Sequence, residues 1–297
     1  MRAPASQALG VLLLCVLAAE AQDYKQVGQL TILVDSSRAY PGGLFVVQFQ
    51  SRRPMGTLMA TLDGRKYPAL SSRSGVRAFV PVPVDAPPGP RLLGLELYGR
   101  RGRQRGTFPA TIAERSYPAR TTVIPVEKRH LLEQPQALRE GRRLMVALRT
   151  LTIPAQWSGP FTAPVPGVGS GFGSPRTYVG GSAVEQKSDG VFGEYHRGLD
   201  YPVPPGTLVQ APAPGTVLFA GSLRLLGQTL VLDHGEGVTS LLCHLGRVEV
   251  RDGDRVEARA VLGVSGTTGI AASPHLHWGV YVHGVAVDPG LLAEGLD

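Results

Sequence analysis

Asparagine is absent from this 297-residue chain, and lysine occurs only at positions 25, 66, 128 and 187. That bias fits a GC-rich genome better than it fits any function. Cysteine is scarce as well, with Cys15 and Cys243 alone. A fold stapled by several disulfides is therefore excluded, and stability must come from packed cores or a metal ion. Apart from the first residues, no apolar run approaches the roughly 20 residues of a membrane-spanning helix. No motif of a nucleic-acid-binding module is present either, so nucleic acid is not an expected partner.

What the chain does have is turn residues, with 38 Gly and 25 Pro at an ordinary hydrophobic content of 43%. Many short strands suit that composition better than long helices, and the length predicts two domains. The start reads separately. Arg2, an apolar run from Ala8 to Ala19 and the step Ala19-Glu20-Ala21 predict a secretory signal peptide over 1–21, cleaved after Ala21. The run is too short to anchor the chain, and Leu14 before Cys15 is not the small residue a lipoprotein signal needs. The expected product is exported to periplasm, cell wall or exterior without a transmembrane anchor, and Cys243 is its lone thiol.

The net charge of +7 is uneven. Residues 22–155 hold 21 Lys+Arg against 9 Asp+Glu, a net +12, while 156–297 hold 8 against 13, a net −5. A basic module joined to an acidic one points to a polyanion-facing half beside a different working site. Arg100, Arg101, Arg103 and Arg105 flank Gly102 at a predicted hairpin tip. They read as a solvated loop, or as a contact for anionic wall polymers or lipid headgroups.

The expected fold class is all-β, with two β domains. Candidate strands at 30–34, 44–50, 57–62, 76–84, 92–98 and 107–113, with a hairpin signal at Asp63-Gly64, predict an N-terminal immunoglobulin-like β-sandwich over 22–118. Leu138, Gly141, Met145, Leu148 and Leu151 follow a helical period, which predicts a helix at about 136–150 inside a linker spanning 119–155. From 156 to 297, short strands separated by Gly-rich turns predict an antiparallel β domain, because no helix long enough to cover a parallel sheet intervenes.

Chemistry concentrates in this last part, where six of the seven histidines lie between 196 and 283. His196 and Asp200 stand four apart, and His275 and His277 two apart, with Leu276 between them. Side chains at i and i+2 of a strand share a face, so both imidazoles enter one cavity while Leu276 enters the core. A catalytic zinc takes three protein ligands and keeps one position open, and two His with one Asp meet that count without a thiol. His234 and His283 sit in Gly turns and read as surface residues, and His130 falls near the linker helix. Cys243 alternates away from His244 and reads as a small buried residue.

From Phe172 to Pro289 the sequence resembles the lysostaphin/LytM-type metallopeptidases. The resemblance rests on Gly171-Phe172-Gly173, His196–Asp200, Ala213–Val217, Asp233-His234-Gly235, His244-Leu245, Val250–Val256, and Gly266–Gly269 followed by Pro274-His275-Leu276-His277-Trp278. It implies Zn2+ bound by His196, Asp200 and His277. It also implies that His244 and His275 flank the reacting water as proton acceptor, proton donor or transition-state stabiliser. The implied function is a zinc-dependent endopeptidase cutting peptidoglycan stem peptides or cross-bridges. The alternative is a catalytically inactive domain that binds peptidoglycan or activates another wall hydrolase. The pattern departs from the family at Leu242, where a Tyr is common, and the oxyanion-stabilising Tyr is unassigned between Tyr195 and Tyr178.

Overall fold

The computed structural model describes residues 22–27, 30–51, 56–72, 75–99, 102–132, 134–179 and 194–296. The expected signal peptide, Arg100 and Arg101 fall outside the described residues. Within them no helix is long and apolar enough to cross a membrane.

Nine strands form the N-terminal part: β1 (Gln22–Val27), β2 (Leu30–Asp35), β3 (Leu44–Ser51), β4 (Thr57–Leu62), β5 (Arg65–Pro68), β6 (Leu70–Ser72), β7 (Gly75–Pro81), β8 (Gly89–Gly99) and β9 (Gly102–Ile112). One sheet runs β1-β2-β3-β7-β6 and the other β5-β4-β8-β9. Without β1, this is the immunoglobulin order, an A-B-E-D sheet facing a C′-C-F-G sheet. The β4–β5 turn has positive φ at both Asp63 (48°) and Gly64 (79°), as a two-residue hairpin of right-handed twist requires.

Strand β3 explains how the two domains join. Phe45, Val47 and Phe49 enter the sandwich core, while the alternate Leu44 and Val46 enter the core of the C-terminal domain. On β7, Phe79 does the same between Ala78 and Val80. A run buried on both faces carries no polar alternation, as in Leu44–Val47, because each face meets a different apolar partner.

Between the domains lie β10 (Arg120–Val123), a 3-10 helix (Val126–Leu132) and α1 (Gln134–Leu148). Helix α1 forms where the periodicity places it and packs Leu144, Met145 and Leu148 on the second domain, but it ends at Leu148 and leaves Leu151 exposed beyond it. The rest of 119–155 is less of a linker than its sequence indicates. Strand β10 pairs in parallel with β11 (Arg176–Val179), the one exception to an otherwise antiparallel fold among the described strands.

The C-terminal sheet has nine strands: β12 (Leu199–Tyr201), β13 (Leu208–Gln210), β14 (Gly215–Leu223), β15 (Gly227–Gly235), β16 (Val238–Val248), β17 (Arg255–Val256), β18 (Val261–Ser265), β19 (Leu276–Val282) and β20 (Val285–Val287). Its spine is β12-β19-β16-β15-β14-β17, all antiparallel. Leu230, Leu232, Leu242, Leu276 and Trp278 fill the core on one face. Val231, Leu241, Cys243 and Tyr281 lie on the other, beneath α1. Burial pushes the Cys243 thiol well above its ordinary pKa, as expected of an inert packed thiol.

Candidate metal centre

Strands β12 and β19 pair Asp200 directly with His277. His196 joins them from the preceding turn, where its N–H donates to Ser174 O and its carbonyl accepts from Gly173 N. Gly171 and Gly173 both have positive φ (96° and 74°), and a Cβ on Gly171 would stand 3.1 Å from His196 Nδ1. That close approach gives Gly171-Phe172-Gly173 its physical role: it cradles the His196 ring. Gly198 does the same for His277, since a Cβ there would lie 2.6 Å from His277 Cε1.

The resulting triangle is small. His277 Nδ1 is 2.9 Å from Asp200 Oδ1, and His196 Nε2 is 3.0 Å from both Asp200 Oδ1 and His277 Nδ1. Among the described residues, these three side chains are the one group of His, Cys, Asp or Glu compact enough to hold a metal ion.

Hydrogen bonding fixes the tautomers of three histidines. A backbone carbonyl only accepts, so His196 Nδ1 donates to Gly171 O (2.9 Å), His244 Nδ1 to Thr268 O (2.9 Å) and His275 Nδ1 to Ser273 O (2.8 Å). Each neutral ring therefore keeps its lone pair on Nε2. Burial lowers the His196 pKa to about 4 and holds the ring neutral at pH 7. For Asp200 burial acts in the opposite sense, but the neighbouring His196 and His277 outweigh it and hold the carboxyl well below its usual range.

The donor set fits a divalent cation. His196 Nε2 and the Asp200 carboxylate oxygen both offer electron pairs across 3.0 Å, and the Nδ1 proton of His277 can serve only that one corner of the triangle. One cation answers all three atoms. Ligands about 2.0 Å from a tetrahedral ion stand about 3.3 Å apart, close to the edges seen here.

His244 and His275 complete the cluster, with ring centroids 4.8 Å apart, and His244 lies 6.4 Å from His277. Regular alternation along β16 would aim His244, like Leu242, at the core under Trp278. It does not, because Cys243 and His244 together oppose Thr229 in a β-bulge and His244 takes φ of 63°. The bulge turns the imidazole to the face that carries Cys243 and His277. Burial first, then the neighbouring His275 and His277, lower the His244 pKa to about 3; burial also lowers that of His275.

All five residues named from the sequence thus line one cavity of about 660 Å³. Sequence reasoning missed others. Arg176 Nη2 donates to Asp200 Oδ2 at 2.7 Å, leaving Oδ1 for the triangle. Residues 120–124 form one wall of the cavity. This strap pairs with β11 on the His196 side, then packs Ile124 on Leu225 and Ile270 and donates from Lys128 Nζ to Thr267 O and Ala271 O on the His244 side. No local signal marks Arg120 or Arg176, because their relation to the site exists only through strand pairing. Tyr195 lines the cavity; the Tyr178 side chain lies outside the described residues.

The profile of Peptidase family M23 matches residues 194–289, from just before His196 to just beyond the last strand. Residues 194–289 are a peptidase family M23 domain. Over 94 residues the chain is 36% identical to the DD-carboxypeptidase/endopeptidase Mpg of Neisseria meningitidis serogroup B, which is 32% of this chain and 22% of that protein. It is 32% identical over 93 residues to the peptidoglycan DD-endopeptidase ShyA of Vibrio cholerae, covering 31% and 22%. The chain thus spans about a fifth of the length of these relatives. The crystal structure of a putative M23 peptidase from Pseudomonas aeruginosa is similar over far more of the fold: TM-score 0.62, 27% identity, 88% of this chain and 97% of that one. The likeness therefore extends well beyond the M23 domain.

Two expectations outside the site need correction. His234 is not a surface turn residue: it ends β15 fully buried, with Nδ1 2.7 Å from Pro214 O and Nε2 2.9 Å from Ser240 Oγ. His283 is half-buried, with its ring 5.7 Å from that of Tyr67 in the sandwich. Their Gly turns are covered by neighbouring segments, which the local sequence does not reveal. Of the four clustered arginines, Arg103 and Arg105 are described, and both pair with Glu96.

Proposed function

We propose that this chain is an exported zinc-dependent endopeptidase that hydrolyses peptide bonds in the stem peptides or cross-bridges of peptidoglycan. The observation that carries the reading is the convergence of three metal-competent atoms with two further imidazoles whose Nε2 lone pairs are free. Residues 22–118 and 156–297 are the two domains, and 119–155 is the segment between them.

His196, Asp200 and His277 would hold the zinc. When bound, it would supply Lewis acidity that polarises the scissile carbonyl and lowers the pKa of water towards neutrality. His244 and His275 move the protons. One accepts a proton from water on Nε2 as the water oxygen bonds to the carbonyl carbon. A proton then passes to the amine nitrogen as the carbon–nitrogen bond breaks. Their backbone acceptors, Thr268 O and Ser273 O, hold the rings in that tautomer, and Arg176 steadies the carboxylate. The strap 120–128 limits how a peptide enters the groove. The basic N-terminal half supports a second contact to anionic wall polymers or lipid headgroups.

The test uses purified protein on isolated cell walls. Soluble peptides with new termini are expected by mass spectrometry, lost on chelation and restored by zinc. Their persistence at wild-type rate in His196→Ala and His277→Ala proteins would refute the reading. Zinc-free purified protein without such products would favour a non-catalytic wall-binding domain.

A further inference from the structure

A second cavity, of about 610 Å³, opens where the sandwich, α1 and the β19–β20 turn meet. Four arginines line it: Arg65 on β5, Arg142 on α1, Arg149 in the turn just after α1, and Arg197 beside His196. Asp85 is the one acidic residue among its lining. None of the four arginines makes an ion pair with a carboxylate of the described residues, so the cavity carries a local excess of three positive charges.

Two details argue that this is a built site rather than a chance gathering of surface charge. Arg197 Nη1 is buried with no hydrogen-bond partner, an expensive state for a guanidinium donor. Arg149 is exposed, yet its stem is seated against the neighbouring turn. Its stem packs so closely on Gly284 that a Cβ there would fall 2.4 Å from Arg149 Cγ, which holds the guanidinium at the cavity mouth. Like charges held together in a partly enclosed space repel, and an anion relieves the repulsion. Guanidinium forks match phosphate oxygens in pairs, which a spherical ion such as chloride cannot reproduce. The volume lies within the range of small-molecule sites, and buried Met145 gives the lining an apolar part for carbon substituents.

We propose that this interdomain cavity is a binding site for a phosphate ester, held by Arg65, Arg142, Arg149 and Arg197. Arg197 also borders the metal cavity, so the ligand would sit behind the catalytic wall and bind both domains and α1 at once. The site does not depend on metal chemistry and is separate from the hairpin-tip arginines, of which Arg103 and Arg105 pair with Glu96.

Thermal unfolding of the full chain tests it, with inorganic phosphate, glycerol 3-phosphate and dimethyl phosphate as probes against sodium chloride at matched ionic strength. Phosphate or glycerol 3-phosphate at ~10 times the dissociation constant is expected to raise the Tm by about 2–4 °C beyond chloride. A matching response to dimethyl phosphate assigns the site to a phosphodiester chain, and a response to monoesters alone to a soluble phosphorylated ligand. The Arg142→Gln/Arg149→Gln protein, altered at two exposed positions on and just after α1, is expected to keep its circular dichroism spectrum and lose the response; Arg65→Gln gives an independent check from the sandwich side. Equal stabilisation by chloride and all three probes overturns the proposal, as does a full phosphate response in both variants.

Discussion

Arg77 of the sandwich reaches across the domain boundary to Glu236 of the M23 domain, with Nε and Nη2 both 3.3 Å from Oε2. The pair is buried, and Arg77 Nη1 also donates to Leu296 O while the guanidinium lies over the Phe79 and Trp157 rings. Removing one partner leaves the other charge buried and unanswered. Arg77→Ala is therefore expected to cost about 3–5 kcal/mol in denaturant unfolding. Arg77→Ala/Glu236→Gln together should recover part of that loss. A single substitution costing less than about 1 kcal/mol would mean that the interface does not depend on this contact.

Gly198 tests the packing around the metal triangle. A methyl group there meets both His277 Cε1 and Trp278 O at 2.6 Å, so one of them must shift. Because Trp278 O belongs to the backbone of β19, the His277 ring is the more movable. Gly198→Ala is expected to lower bound zinc and wall-cleaving activity together, with little change in circular dichroism. Normal zinc stoichiometry in the variant would contradict this account of the motif.

Arg176 holds Asp200 by Oδ2, the carboxylate oxygen that the triangle does not use. Substituting Gln frees Oδ2 and lets the carboxylate rotate, so zinc affinity is expected to fall about 10–100-fold. Competition with a chromogenic chelator measures this directly, and Arg176→Lys should restore part of the affinity. An unchanged affinity would make Arg176 a substrate or surface residue instead.

His234 supplies a pH dependence away from the metal. Burial lowers its pKa from the ordinary 6.5 to about 4, and burial lowers His283 likewise to about 4. The unfolded chain binds a proton near pH 6.5 where the folded chain does not, so stability is full above about 6.5 and falls as pH drops towards 4. For His234 the loss is on the order of 3 kcal/mol at the acid end. Urea unfolding of chelated protein from pH 7.5 to 4.5 should show the decline, and His234→Gln should make it shallower without abolishing it, because His196, His244, His275 and His283 are lowered in the same sense. A variant with the wild-type slope would place the titration elsewhere.

Much of the site was legible locally because metal chemistry restricts residue types and strand geometry restricts spacing. His275 and His277 share a face through the period of two, and Leu276 between them is buried as that period demands. The α1 stripe and the Asp63-Gly64 turn were legible for the same reason, since each depends on residues within one or two turns of chain. His244 was legible by its type but not by its direction, because a bulge cancels the alternation that would point it into the core.

By itself, then, the sequence determined the all-β class, the helix and which five side chains would meet in one cavity, each from a short local pattern. Tertiary structure alone decided that Arg176 braces Asp200, that 120–124 walls the groove, and that β3 and β7 serve two cores at once. It also decided that His234 is buried and that four distant arginines face one cavity. These facts depend on which strands and faces meet after the chain returns on itself, and no short stretch of sequence encodes its own partner.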